Sequence, residues 1–82
     1  MAGGSVLHIG FNNVVLKSRI IAVVNAGANP IRRLVEKAKE SGKLIDATSG
    51  RKTRSVIFTD ADFIVLSSLQ PQRLIERLEH EK

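Results

Sequence analysis

The chain has 82 residues, enough for one hydrophobic core, and its 43% apolar and 26% charged residues match a folded globular domain rather than a disordered one. Cysteine is absent, which excludes a disulfide framework, a thiolate metal site and a cysteine nucleophile. Thirteen Lys and Arg against eight Asp and Glu leave a net charge of +5, a balance that favours a polyanionic partner.

In chain order, Val6-Leu7-His8-Ile9 is a short apolar run stopped by Gly10. Asn12-Asn13 supplies turn chemistry before Val14-Val15-Leu16, so two short strands joined by a tight turn are expected. After Lys17-Ser18-Arg19, the five apolar residues Ile20 to Val24 suit a strand covered on both faces. Asn29-Pro30 reads as the start of a helix, with Asn29 as the cap. Ile31, Leu34, Val35 and Ala38 form its apolar stripe, and Gly42 closes it. Leu44 to Thr48 and Ser55 to Thr59 read as two strands of a hairpin whose tip carries Gly50-Arg51-Lys52. Asp60-Ala61-Asp62 is a turn, Phe63 to Ser67 a further strand, and Pro71 opens a last helix with Leu74, Ile75 and Leu78 on its apolar side. The order β-β-β-α-β-β-β-α predicts a single α+β domain over residues 1–82, with a small, mainly antiparallel sheet and two helices.

Three Phe, no Trp and no Tyr leave little bulk for a core. At this size a core supplies only about 3–5 kcal/mol, so a homo-oligomer is expected. No apolar run approaches the roughly 18 residues that span a bilayer, and Met1 to Ser5 lacks the character of a signal peptide. These features predict a cytoplasmic protein with no membrane partner.

Residues capable of catalysis are sparse. His8 stands alone in a strand, His80 lies in a neutral tail, and Asp60 with Asp62 supplies too few oxygens for a hard cation and reads as an ordinary turn. There is no phosphate-loop glycine pattern. The expectation is a protein that is not an enzyme, with no cofactor, no metal and no small-molecule substrate. The cations are more informative. Arg51, Lys52 and Arg54 fall within four residues with no acid between them, where long side chains reach past a sheet and guanidinium groups present a fork that fits phosphate oxygens. Arg54 shares strand parity with Val56 and Phe58, so pairing with Asp46 or Asp62 at a sheet edge is the competing role. Arg19, from pattern alone, reads as the solubilising end of a strand.

Four stretches together carry a resemblance: Ile9-Gly10-Phe11-Asn12-Asn13-Val14-Val15 through Arg19, Ala28-Asn29-Pro30-Ile31-Arg32-Arg33, Leu44-Ile45-Asp46-Ala47-Thr48, and Gly50-Arg51-Lys52-Thr53-Arg54. The chain resembles the RemA family of bacterial extracellular matrix regulators from about Val6 to Leu78, including Leu66-Ser67-Ser68-Leu69-Gln70-Pro71 before the last helix. The resemblance implies a ring-shaped homo-oligomer that binds duplex DNA and regulates transcription of biofilm matrix and related genes. It also implies DNA contacts at Arg19 and at Arg51 with Lys52, converging on one surface. Lys52 stands where the family carries a second turn arginine, and Ser49 where an aromatic residue is usual. Lysine keeps the charge and loses the bidentate fork. An oligomeric scaffold whose basic segment docks on an acidic protein is the alternative reading.

Overall fold

The computed structural model describes residues 6–79, so the expectations for Met1 to Ser5 and for His80 lie outside the described residues. The elements are β1 (Val6–Gly10), β2 (Asn13–Leu16), a short 3-10 turn (Lys17–Arg19), β3 (Ile20–Asn25), α1 (Asn29–Glu40), β4 (Leu44–Asp46), β5 (Ser55–Thr59), β6 (Ile64–Ser67) and α2 (Pro71–Glu79). This is the expected order in a small α+β domain. The hairpin β1–β2 forms one sheet, and a second has the order β3-β5-β6-β4, antiparallel except for the pair β4–β6.

Side-chain alternation on the central strands sorts the core into two layers. Val56 of β5 with Ile64 and Leu66 of β6 meets Ile31, Val35 and Ala38 of α1 on one face. Ile57 and Val65 point the other way, onto Leu7 and Ile9 of the hairpin and Leu74 of α2. The four-stranded sheet is therefore the middle of three layers. Helix α1 ends as anticipated: Gly42 takes a φ of 74°, the Lys43 N–H donates to Ala38 at 2.8 Å and the Gly42 N–H to Lys39 at 3.3 Å, which closes the last turn in a Schellman motif. Its start differs from the expectation. Asn29 is the first helical residue, the cap position belongs to Ala28, and no side chain caps the turn.

One strand expectation needs correction, and another holds in part. Leu44 to Thr48 and Ser55 to Thr59 do not form a hairpin. β4 lies at the sheet edge, parallel to β6, and β5 pairs with β3 and β6. The segment between β4 and β5 crosses the end of β6, where the Ala47 N–H donates to the Leu66 carbonyl at 3.0 Å and the Arg54 N–H to the Ser67 carbonyl at 2.9 Å. A glycine between two β-rich runs announces a reversal without saying which strand will be the partner. β3 is covered on both faces only in part, Val23 packing on the hairpin layer and Val24 on the α1 layer. It is the other edge strand, and a bulge between Ile20 and Ala22 adds one residue. The extra residue lets Ile20 and Val23 both face the hairpin layer, and it leaves Ile21 67% exposed.

Buried serines lock the end of the sheet where β5 begins and β6 ends. The Ser67 hydroxyl donates to the Ile9 carbonyl at 2.9 Å and accepts from the Leu69 N–H at 3.1 Å, while the Ser55 hydroxyl donates to the Leu69 carbonyl. Ser67→Ala leaves a carbonyl and an N–H without their partner and should lower stability by about 1–3 kcal/mol, measured by chemical denaturation against wild type. An unchanged midpoint would mean that water replaces the hydroxyl.

Candidate functional site

The loop between β4 and β5 is built to hold Arg51 out. Asp46 closes β4, and its carboxylate accepts from the Thr48 hydroxyl at 2.6 Å and from the Thr48 N–H at 2.9 Å. Those two bonds, the hydroxyl's the larger, hold the carboxyl below its usual range. Their contribution is fully present above the ordinary carboxylate pKa and is lost as pH falls through the lowered value, so the loop is intact at neutral pH. Ser49 (φ 52°) and Gly50 (φ 79°) then take two consecutive left-handed conformations, and the Arg51 N–H closes the turn on the Thr48 carbonyl at 3.0 Å.

A second turn of the same hand meets it. Phe11 and Asn12, with φ of 55° and 64°, reverse the chain between β1 and β2. The Arg51 guanidinium carbon stands 5.5 Å from the centre of the Phe11 ring. A bulky residue in that backbone region is strained, and Phe11 is 47% exposed, so burial does not explain it. The ring instead provides a platform on which a planar cation stacks with its donor edge free. Lys52 is exposed beside it.

Arg54 precedes β5 with its backbone fixed on both sides, donating to Ser67 and accepting from the Ala26 N–H at 3.1 Å. Its expected acidic partners are engaged or distant: Asp46 serves Thr48, and Asp62 lies in the turn at the far end of β5. Among the described residues Arg54 has no ion pair. It lines a groove with Arg32 of α1, Lys52, Thr53, Asn25 and Gln70, and among the described residues no carboxylate belongs to that lining. Both helices begin at this end of the sheet, and their N-terminal dipoles add to its positive potential. Arg32 went unrecognised in the sequence because it sits on the polar face of an amphipathic helix, where a cation is unremarkable.

Arg19 is elsewhere. It ends the 3-10 turn before β3, at the opposite end of the sheet, and its Nε donates to Asp60 at 2.7 Å with both side chains about half exposed. Five residues of β5 lie between Asp60 and Arg54, six steps that span roughly 20 Å of strand. Within one protomer Arg19 and Arg54 therefore lie at opposite ends of β5, while the lining beside Arg19 reaches Asn13 and Ala47, which adjoin the turns that carry Phe11 and Arg51. What the Asp60 contact does is fix the Arg19 side chain while leaving both terminal nitrogens of the guanidinium available. Beside Arg19 runs an apolar groove walled by Val14, Leu16, Ile45 and Phe63, each at least one third exposed.

His8 is exposed, and its backbone carbonyl accepts from Arg77 at 3.0 Å. Among the described residues no group of three or more His, Asp or Glu is placed to hold a metal ion, and no helix is long and apolar enough to cross a membrane.

Comparison with known proteins gives these features a context. Residues 6–78 match the family model described as RemA-like, Extracellular matrix regulatory protein A-like. A protein of Thermodesulfovibrio yellowstonii is 56% identical over 72 residues, covering 88% of this chain and 85% of that one. One of Halothermothrix orenii is 48% identical over 77 residues, covering 94% and 92%, and one of Fervidobacterium nodosum is 54% identical over 71 residues, covering 87% and 76%. All three carry the name "Putative regulatory protein". With the family match spanning both left-handed turns, all six strands and nearly all of the last helix, the chain belongs to the RemA-like family.

Proposed function

We propose that the protein is a DNA-binding transcriptional regulator that acts by binding rather than by catalysis. It assembles as a ring-shaped homo-oligomer in the cytoplasm and grips the duplex backbone through Arg19, Arg51, Lys52 and Arg54. The observation that carries this reading is the set of exposed cations at the β5 start: Arg51 stacked on a strained Phe11, with Lys52 and Arg54 beside a groove that no described carboxylate lines. Family membership and the regulatory names of the relatives support it. In the resembled family the regulated genes serve the biofilm matrix, and the same role is proposed here.

The ring follows from the same features. One protomer holds its cations at two ends of a sheet, too few and too far apart for firm binding, whereas repetition around a ring multiplies both sets without a longer chain. Val14, Leu16, Ile21, Ile45 and Phe63 are large apolar residues between 36% and 67% exposed, the kind of surface that self-association covers. Arginine and lysine without a recognition helix in the major groove favour phosphate contact and DNA shape over base-edge readout.

Salt separates this reading from the scaffold that docks an acidic protein. The logarithm of affinity for a duplex should fall steeply and linearly with the logarithm of salt concentration, with modest dependence on sequence, in titrations at low and physiological salt. A flat response would remove the backbone-contact mechanism, and no duplex binding at low salt would favour the scaffold.

A further inference from the structure

The groove at the β5 start contains a cation, Arg32, that the sequence pattern passes over and to which the resemblance assigns no DNA contact. Arg32 lies in the first turns of α1, some 20 residues before Lys52 and Arg54, and the fold brings all three to one lining. The other described residues of the lining are neutral: Asn25, Ala26, Gly27, Thr53, Gln70, Pro71 and Gln72. Asn25 uses its side-chain oxygen to accept from the Gly27 N–H at 2.7 Å, so its amide nitrogen keeps its donors for the groove. Three cations and amide donors around an open channel, with no carboxylate among its described residues, make a surface that repels cations and suits oxyanions in series.

The neighbourhood of Arg32 distinguishes it from an ordinary helix-surface arginine. Glu36 is four residues along the same helix and is the nearest acid in that direction, yet it does not line the groove, and no ion pair involves Arg32 among the described residues. The next residue, Arg33, carries the same charge on the same helix and also lies outside the groove lining. Lys52 and Arg54 are held opposite by a segment whose backbone is bonded to β6 and to Ala26, so the channel does not depend on a mobile loop.

We propose that Arg32 is a phosphate-binding residue, and that the Arg32–Lys52–Arg54 groove takes a run of consecutive backbone phosphates of duplex DNA, separate from the contact made by Arg19 at the other end of the sheet. This rests on the DNA-binding reading above and extends it to a residue and a channel. Besides Arg51, each protomer then offers two phosphate contacts of different construction. One is a single arginine oriented by a carboxylate, and the other is a three-cation channel with none.

The test compares Arg32→Ala with Arg33→Ala, which remove the same charge from adjacent positions of one helix. Both proteins are first shown by circular dichroism and light scattering to keep the wild-type fold and assembly, and binding to a labelled duplex is then measured across a salt series. Arg32→Ala should weaken binding roughly fivefold or more and reduce the salt slope by about one for each engaged protomer, with Arg33→Ala close to wild type. Arg32→Lys should restore most of the affinity. If the two alanine variants bind alike while wild type binds well, the groove is overturned and the DNA reading stands. If wild type itself leaves the duplex unbound at low salt, the DNA reading falls and the groove with it.

Discussion

Alanine at both Arg19 and Arg51 is expected to abolish duplex binding at physiological salt while leaving a folded oligomer. Neither side chain supports the core. Arg19 is half exposed and its partner Asp60 equally so, and an exposed pair of this kind contributes about 0–1 kcal/mol. Asp60 left alone stays hydrated. Arg51 holds the loop through its backbone N–H, which alanine retains, and its guanidinium only rests on Phe11. Surface changes of this sort shift stability by no more than about 0.5 kcal/mol. The effect on DNA is of another order, because an oligomer loses each contact in every protomer. A loss of about 1 kcal/mol per contact is roughly fivefold, and three engaged contacts multiply to on the order of 100-fold. Lys52→Arg should preserve or tighten binding by restoring the planar fork, and Arg54→Ala should cost less than either arginine. Gel shifts with Arg19→Ala and Arg51→Ala proteins of verified fold and assembly decide the matter, and undiminished affinity in both would refute the assignment.

How legible these residues were depended on whether their roles are local. Helix α1 could be read because its periodicity, Pro30 and Gly42 all act within a few residues of themselves. The exposed positions of Arg51 and Lys52 could be read from the absence of neighbouring acids, and the resemblance singled out Arg19 and Arg51. Strand pairing could not, since the crossing loop from Ala47 to Arg54 carries the same glycine and polar residues that a hairpin would. The role of Phe11 is not legible in the sequence, because a positive φ and the approach of Arg51 are tertiary facts. Arg32 was hidden for the same reason, its companions being distant in sequence. The partner of Arg19 was likewise unforeseen: Asp60 reads as a turn residue, and only the antiparallel pairing of β3 with β5 brings the two together.

That pairing also determines what a charge at position 21 should do. A run of five apolar residues suggests a buried strand, and in a buried strand Ile21→Asp would unfold the chain. The bulge changes the expectation, because Ile21 is 67% exposed on an edge strand and packs into neither core cluster. An aspartate there is solvated in an isolated protomer and should alter its stability by about 0.5 kcal/mol or less. Ile21 nevertheless borders a groove with Phe58, Phe63 and Ile64, and among the described residues the outer edge of β3 has no strand beside it. If assembly covers this edge, an unpaired carboxylate inside a dry contact costs several kcal/mol at every interface of the ring. Ile21→Asp is therefore expected to give a monomer by light scattering with an unchanged circular dichroism spectrum, and Ile21→Val to assemble as wild type does. Duplex affinity should fall with the assembly even though every cation remains, since a lone protomer has no avidity. A wild-type chain that is monomeric at micromolar concentration would end the ring proposal, and an Ile21→Asp protein that assembles normally would move the interface away from β3.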